Sequence, residues 1–326
     1  MARGAIGIPR AGNTVLKKSA LLDTLRMIDG NASARLRVLA LETEFRRKIL
    51  THTESLIPAE SDFRKFNTSP FVLLIHAFHK SYSHVHQIER DILPAKQFSS
   101  METSAGRMVE EVALPIYGWE CVPSEMHTPN SALDGWKPGS IPFAVATLKS
   151  GPRCLNDEMS ENFADAVINH AAAWAKAGGA HELDFTYGVL YGTPRQSNKK
   201  DWHILRNLRD KVPKTTNGQV LLPPDDRWHC RCVIGGISVN AAVRIGLDWW
   251  THLGGDTCLV EVLASLIRAC VGPTMDAGDD ENFVIGDLKY IVDMTSVPAA
   301  YNVSLLQRSQ LPWLFLMACH FCDSLE

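Results

Sequence analysis

A stretch of about fifty residues in the middle of the chain constrains the fold most. Residues 141–148 form a short apolar run with β-branched members between Pro and Gly, which is typical of a buried strand. The next segment, 156–177, opens on Asn156 as an N-cap with acids in the first turn and ends at a Gly-Gly pair, so both ends of a helix are marked. Residues 184–191 are aromatic and β-branched, as in a second strand. This order predicts a crossover unit in an α/β fold. Two helices are also predicted before it, over about residues 70–86 and 103–116.

The positive charge of the chain is unevenly distributed. The total of 33 Lys+Arg against 36 Asp+Glu gives −3, which by itself does not indicate a nucleic-acid partner. The first fifty residues nevertheless hold ten bases against four acids, and residues 38–49 have helical spacing. This basic helix is either a solvated face or an arm along DNA phosphates. A second basic stretch covers residues 199–214.

Several protein classes are disfavoured. The start, MARGAIGIPR, has no apolar core of signal-peptide length, and the apolar stretches are too short to span a bilayer. The eight cysteines are scattered, as expected for reduced thiols in a cytoplasmic protein without a membrane partner. Two Cys- and His-containing clusters, 229–232 and 319–322, together lack the two Cys-x-x-Cys pairs of a structural zinc site.

The end of the first predicted strand offers a candidate site. Thr147 and Lys149 lie on the same strand face, and Asp134 is fifteen residues before Lys149, where an adjacent hairpin strand could bring it alongside. A carboxylate beside a lysine suits Mg²⁺ and a phosphate substrate. The lysine would assist an attacking water and meet charge that develops on the phosphate. By spacing alone, a strand-end lysine is more often a solvated charge, so the hypothesis depends on its context.

Five sequence blocks give that context. In order they are GRMVEEVALP (106–115), TLKSG (147–151), YGVLYG (187–192), WHILRN (202–207) and RIGLDWW (244–250). In this order and spacing, over about residues 60–270, the chain resembles the PD-(D/E)XK type II restriction endonucleases. Within that family it resembles the subgroup that cuts interrupted palindromes such as RGGNCCY.

The resemblance implies a fold, an activity and partners. The expected fold is α/β (α+β): a restriction-endonuclease-like core, whose mixed central sheet is flanked by helices, with helical attachments at both ends. We expect a catalytic domain over residues 61–270, a basic helical region over 1–60, and a C-terminal extension over 271–326 that packs on the core or at a dimer interface. The implied activity is Mg²⁺-dependent hydrolysis of double-stranded DNA that leaves 5′-phosphates. A homodimer suits a palindromic site, and a cognate DNA methyltransferase is the expected genetic partner.

The resemblance also assigns site residues. Asp134 corresponds to the metal-binding aspartate and Lys149 to the motif lysine. Thr147 stands where the family most often has Glu or Asp, and a hydroxyl cannot supply a second negative ligand. Either Thr147 contributes little as a ligand, or another carboxylate replaces the missing acid. Glu111 is the first choice, Glu161 on the following helix the second, and Glu110 the neighbour of Glu111 on the other flank of an apolar stripe.

The second basic stretch supplies the expected DNA contacts, although a solvated loop is an equal alternative for its side chains. The predicted contacts are Lys199, Lys200, His203, Arg206 and Arg209. Two other functions remain open: a repair or recombination nuclease of the same fold, and a DNA-binding protein whose catalytic site has decayed. Trp249 and Trp250 are expected in the core.

Overall fold

The structure is a computed structural model that describes residues 12–59, 62–63, 68–122, 129–197, 200–221, 228–273 and 284–326. In these ranges the chain is a mixed α/β protein with ten α-helices and two sheets. The helices are α1 (Lys18–Gly30), α2 (Ala32–Glu54), α3 (Pro70–His79), α4 (Glu89–Ile116), α5 (Asp157–Ala177), α6 (Lys200–Lys211), α7 (Leu247–Gly254), α8 (Cys258–Cys270), α9 (Leu288–Ile291) and α10 (Leu311–Ala318). The strands are β1 (Val15–Leu16), β2 (Glu120–Cys121), β3 (Gly135–Lys137), β4 (Phe143–Lys149), β5 (Glu182–Val189), β6 (Gln219–Leu221), β7 (His229–Ile234), β8 (Ile237–Ile245) and β9 (Ser324–Leu325).

The larger sheet is mixed, in the order β2-β3-β4-β5-β8-β7-β6. Its three central strands, β4, β5 and β8, run parallel, and the pairs on either side are antiparallel. The predicted crossover unit is confirmed as β4-α5-β5. The Asn156 side chain caps α5 by accepting a hydrogen bond from the Met159 amide at 2.7 Å, and the helix ends at Gly178.

Two helix predictions differ from the structure in length. The helix expected over 70–86 stops at His79, because Ser81 has a φ of 55° that an α-helix does not accept. The helix expected over 103–116 begins earlier, at Glu89, and runs through Pro94. Pro94 lies inside this first half, and a proline within a helical pattern predicts a helix boundary rather than a helix interior.

Helices cover both faces of the larger sheet. Phe143 and Val145 of β4 pack in one core with α5 and α6. The alternate residues of β4, among them Ala146 and Leu148, pack in a second core with α2, α4, α8 and α10. Because helices cover both faces of the sheet around its parallel strands, the residues of β4 are apolar on both faces.

Both ends of the described chain join the second core. Leu25 and Phe45 come from the N-terminal helices and Phe315 from α10, and all three are fully buried there. The small parallel sheet of β1 and β9 links the two ends directly. Trp249 and Trp250 are buried in the same core, as predicted. The longest apolar segments of the described helices fall short of what crossing a membrane requires.

A buried ion pair fixes α2 against α8. The Arg37 guanidinium donates two hydrogen bonds to the fully buried Glu261 carboxylate, at 2.7 and 2.6 Å. The hydroxyls of Tyr117 and Thr257 donate to the same carboxylate at 2.8 and 2.7 Å. Burial alone would raise the pKa of Glu261, but these four hydrogen bonds lower it and keep the group charged.

Candidate active site

The hairpin of β3 and β4 places Asp134 beside the end of β4. The Asp134 amide donates to the Ala146 carbonyl at 2.9 Å, and Asp134 directly precedes Gly135, the first residue of β3. The Leu148 amide then donates to Asp134 Oδ2 at 2.6 Å. The neighbouring strand thus brings Asp134 alongside β4, and a backbone amide orients its carboxylate.

Thr147 also contacts this carboxylate. Its side chain is buried, and its hydroxyl donates to Asp134 Oδ2 at 3.2 Å. At the position where the resemblance leads us to expect an acid, the chain therefore has a hydrogen-bond donor to the aspartate. In this arrangement Thr147 orients Asp134, and the prediction of Thr147 as a metal ligand stays a prediction.

Lys149 is the last residue of β4. Its Nζ lies 5.6 Å from the centre of the Phe163 ring of α5, where a cation–π contact helps to hold the ammonium group. Lys149 and Asp134 line one cavity of about 690 Å³, together with Lys48, Glu110 and Glu111. This cavity is called the Asp134 pocket below.

Helix α4 closes one side of the Asp134 pocket because it approaches the turn after β4 very closely. A Cβ on Gly106 would lie 2.7 Å from the Cβ of Ser150, so only glycine fits there without a shift of the backbone. Glu110 is four residues further along α4 and therefore on the same face of the helix. The contact between Gly106 and Ser150 thus turns Glu110 toward the end of β4.

Glu110 and Glu111 are neighbours in sequence, but their surroundings differ. Burial and the nearby charge of Asp134 raise the pKa of Glu110 to about 7, against a smaller opposing effect from Lys149. Glu111 instead accepts hydrogen bonds from Lys48 of α2 and from Arg107, the latter at 2.8 Å. Its pKa is lowered, mainly by the hydrogen bond from Lys48.

Glu111, the predicted second acid, is therefore a carboxylate that already forms ion pairs with Lys48 and Arg107. Glu110 is the carboxylate whose ionisation depends on both Asp134 and Lys149. Glu110 was predicted only as an alternative to Glu111 and Glu161. The contact that distinguishes the two joins Gly106 to the turn after β4, which is remote in sequence.

Glu161, the second choice, lies elsewhere. It forms a 2.8 Å salt bridge with Lys211 of α6. The described residues that line the Asp134 pocket do not include it. The first turns of α5 face α6, so a carboxylate twelve residues after Lys149 points along the α5–α6 boundary.

Four of the five predicted DNA contacts lie on α6. Lys199 is outside the described residues. Lys200 and His203 both contact Asp157 at the start of α5, His203 Nδ1 at 3.4 Å, and burial lowers the pKa of His203. The Arg209 guanidinium donates a hydrogen bond to the His229 carbonyl of β7, and Arg206 is half-buried. These contacts hold α6 against α5 and β7.

The donor set of the Asp134 pocket suits a hard cation. Among the residues that the structure describes, no three His, Cys, Asp or Glu side chains lie close enough together to form a complete metal cluster. Two carboxylates, Glu110 and Asp134, nevertheless share the pocket, and their mutual repulsion contributes to the raised pKa of Glu110. A cation bound by oxygen ligands would relieve that repulsion, and water or substrate oxygens complete the coordination of Mg²⁺ in many proteins.

No family model and no curated protein sequence matches this chain.

Proposed function

We propose that this chain is a magnesium-dependent endonuclease of the PD-(D/E)XK type II restriction class. It hydrolyses phosphodiesters of double-stranded DNA at a short palindromic site and leaves 5′-phosphate ends. The observation that carries the proposal is the meeting of Asp134, Glu110 and Lys149 in one pocket at the end of β4. Residues of α2, α4, β2 and β4 line this pocket at one side of the mixed sheet, and Asp134 joins them from the position just before β3.

Each group in the Asp134 pocket has a role in such a reaction. Asp134 and Glu110 would hold Mg²⁺, which supplies positive charge to a phosphate and lowers the pKa of a bound water. The Leu148 amide and the Thr147 hydroxyl keep the Asp134 carboxylate in a fixed orientation. Lys149 places an ammonium group beside the carboxylates, where it orients the attacking water and balances the charge that develops on the phosphate.

The rim of the pocket carries further positive charge. Lys48 reaches it from α2 and Arg107 from α4, and both bind Glu111. The Arg107 side chain is mostly exposed, and that of Lys48 is about one-third exposed. DNA phosphates that approach three carboxylates need such cations, because sequence-independent affinity comes from Lys and Arg. We therefore assign Lys48 and Arg107 to the DNA backbone, which gives the basic N-terminal helices a place beside the site.

The decisive experiment is a plasmid digest with Mg²⁺, followed by mapping of the ends. The wild-type chain should give discrete fragments with 5′-phosphates. Asp134→Ala and Lys149→Ala should still shift a DNA fragment in a gel with Ca²⁺, but should not cut with Mg²⁺. Lys176→Ala is the matched control and should cut like the wild type, because Lys176 is an exposed base near the end of α5 and does not line the pocket.

Three results separate this proposal from its rivals. Cleavage by Asp134→Ala or Lys149→Ala at the wild-type rate would refute the assignment of the site. Ladders or smears in place of discrete fragments would favour a repair or recombination nuclease. A DNA methyltransferase gene beside the gene for this chain would favour restriction.

A DNA-binding protein without cleavage is the second candidate. It is favoured by Thr147, which stands where an acid is expected, and by the incomplete cluster of metal ligands among the described residues. Specific DNA binding with no cut in either Mg²⁺ or Mn²⁺ would support it. Any cleavage that depends on the metal and on Lys149 would exclude it.

A further inference from the structure

A second cavity lies between α4 and α8, next to a different face of α4 from the one that lines the Asp134 pocket. It has a volume of about 620 Å³. The described residues that line it include one stripe from each helix: Glu102, Ala105, Gly106 and Val109 of α4, and Leu259, Val262, Leu263 and Leu266 of α8. Each stripe has the spacing i, i+3, i+4 and i+7 of a single helix face. We call this space the α4–α8 cavity.

The cavity exists because the side chains of α4 are too short to fill the space in front of α8. Gly106 lets α4 approach the turn after β4 closely at Ser150, and this contact sets the position of the helix. Next to Gly106, Ala105 carries only a methyl group, whereas the facing stripe of α8 consists of three leucines and a valine. Cavities of about 300–1,000 Å³ with mainly apolar walls are typical of small-molecule sites.

Aromatic side chains complete the walls of the α4–α8 cavity. Trp250 and Phe321 are buried, and Trp250 Nε1 already donates to the Leu190 carbonyl at 2.8 Å. Trp250 therefore contributes its apolar ring and no free donor. Tyr191 is 46% exposed, and its ring meets the ring of His320 edge to face, with centroids 6.4 Å apart. A planar aromatic molecule can thus pack against both ring faces and ring edges in this cavity.

The charge of the cavity excludes anions. Among the described residues that line it, Glu102 alone is an Asp, Glu, Lys or Arg, and its side chain is exposed. A phosphate, a sulfonate or a fatty-acid carboxylate would lose water beside this carboxylate without gaining a lysine or arginine partner from the walls. An uncharged molecule with an N–H or O–H group can instead donate a hydrogen bond to Glu102, which is stronger than one between neutral groups.

We propose that the α4–α8 cavity binds a small uncharged aromatic molecule that carries a hydrogen-bond donor. The rings lie between the leucines of α8 and the aromatic walls, and the donor faces Glu102. The binding does not depend on the proposed cleavage of DNA, because Asp134, Glu110 and Lys149 do not line this cavity. A Lys149→Ala chain should therefore bind the same molecule as tightly as the wild type, whether or not the chain is a nuclease.

Two fluorescent probes that share one ring system test the proposal. Phenylnaphthylamine is an uncharged aromatic amine whose emission rises in apolar surroundings, and the wild type should bind it with a dissociation constant of about 10 μM, within the range for an apolar ligand of its size. Anilinonaphthalene sulfonate has the same rings and amine plus a sulfonate, so it should bind about tenfold more weakly, because like charges meet at Glu102. Glu102→Gln should reduce this difference.

A substitution that fills the cavity locates the binding. Ala105→Trp places an indole ring in the space from the side of α4 and should remove the saturable signal of phenylnaphthylamine. Ala173→Trp is the matched control and should bind like the wild type, because Ala173 is an exposed residue of α5 that does not line the cavity.

Three results would overturn the proposal. They are a wild-type chain without saturable binding of phenylnaphthylamine up to about 50 μM, five times the expected dissociation constant, an Ala105→Trp chain that binds as tightly as the wild type, and a sulfonate probe that binds the wild type as tightly as the uncharged amine. The comparison of the two probes on the wild type and on Glu102→Gln changes only an exposed side chain. It therefore tests the proposal even where Ala105→Trp fails to fold.

Discussion

Replacing Glu110 with glutamine tests whether the Asp134 pocket forces two carboxylates together. Glutamine has the shape of the protonated acid but cannot ionise. Glu110 titrates near 4.5 in an unfolded chain and at about 7 in the folded protein, because of burial and the charge of Asp134. At about 1.4 kcal/mol for each pKa unit, this difference corresponds to about 3 kcal/mol.

The sign of the effect follows from the order of the two pKa values. Below pH 4.5 the carboxyl is protonated in both the folded and the unfolded state, so wild type and Glu110→Gln should be equally stable. Between pH 4.5 and about 7 the unfolded chain has released this proton while the folded protein still holds it, so the stability that the proton contributes falls across this window and is lost above about pH 7. At pH 8, in a metal-free buffer, Glu110→Gln should therefore be the more stable protein, by about 3 kcal/mol.

Urea unfolding of both proteins at pH 5 and pH 8, in the presence of a chelator, measures this difference. Glu111→Gln is the control of opposite sign, because its pKa is lowered by Lys48 and Arg107. At pH 8 it should lose stability, by no more than about 1 kcal/mol, since these ion pairs are partly exposed. Equal stability of Glu110→Gln and wild type at pH 8 would refute the raised pKa of Glu110, and with it both causes, burial and the nearby charge of Asp134. Mg²⁺ should stabilise wild type but not Glu110→Gln, because a ligand that binds only the folded state raises its stability.

Three further substitutions probe the groups around the pocket and the core. Thr147→Val removes one hydrogen bond to Asp134, which is worth about 1 kcal/mol, so initial-rate assays should show cleavage slowed by roughly fivefold to tenfold. An unchanged cleavage rate would mean that this hydrogen bond does not help to orient Asp134. Arg37→Ala leaves Glu261 buried and charged without its partner, so urea or thermal unfolding should show a free energy of unfolding lower by about 3–5 kcal/mol. A much smaller loss would contradict the burial of the Glu261 carboxylate. Lys48→Met should weaken DNA binding similarly for all sequences and reduce the slope of log affinity against log salt by about one, whereas an unchanged slope would exclude a phosphate contact.

The parts of the fold that sequence predicted depend on local signals. The cap at Asn156, the Gly-Gly end of α5 and the β-branched strands are each specified by neighbouring residues, and they predicted the boundaries of the β4-α5-β5 unit to within two residues. The hairpin that brings Asp134 to β4 was also accessible, because a short turn allows few alternatives for adjacent strands.

The choice among the acids depends on tertiary contacts. Glu110 and Glu111 are about 100° apart around α4, and nothing in their immediate sequence says which of them faces β4. The contact of Gly106 with the turn after β4 decides it, together with Lys48, which arrives from a helix more than fifty residues earlier. Similarly, Glu161 was a reasonable candidate until the packing of α6 gave it Lys211 as a partner.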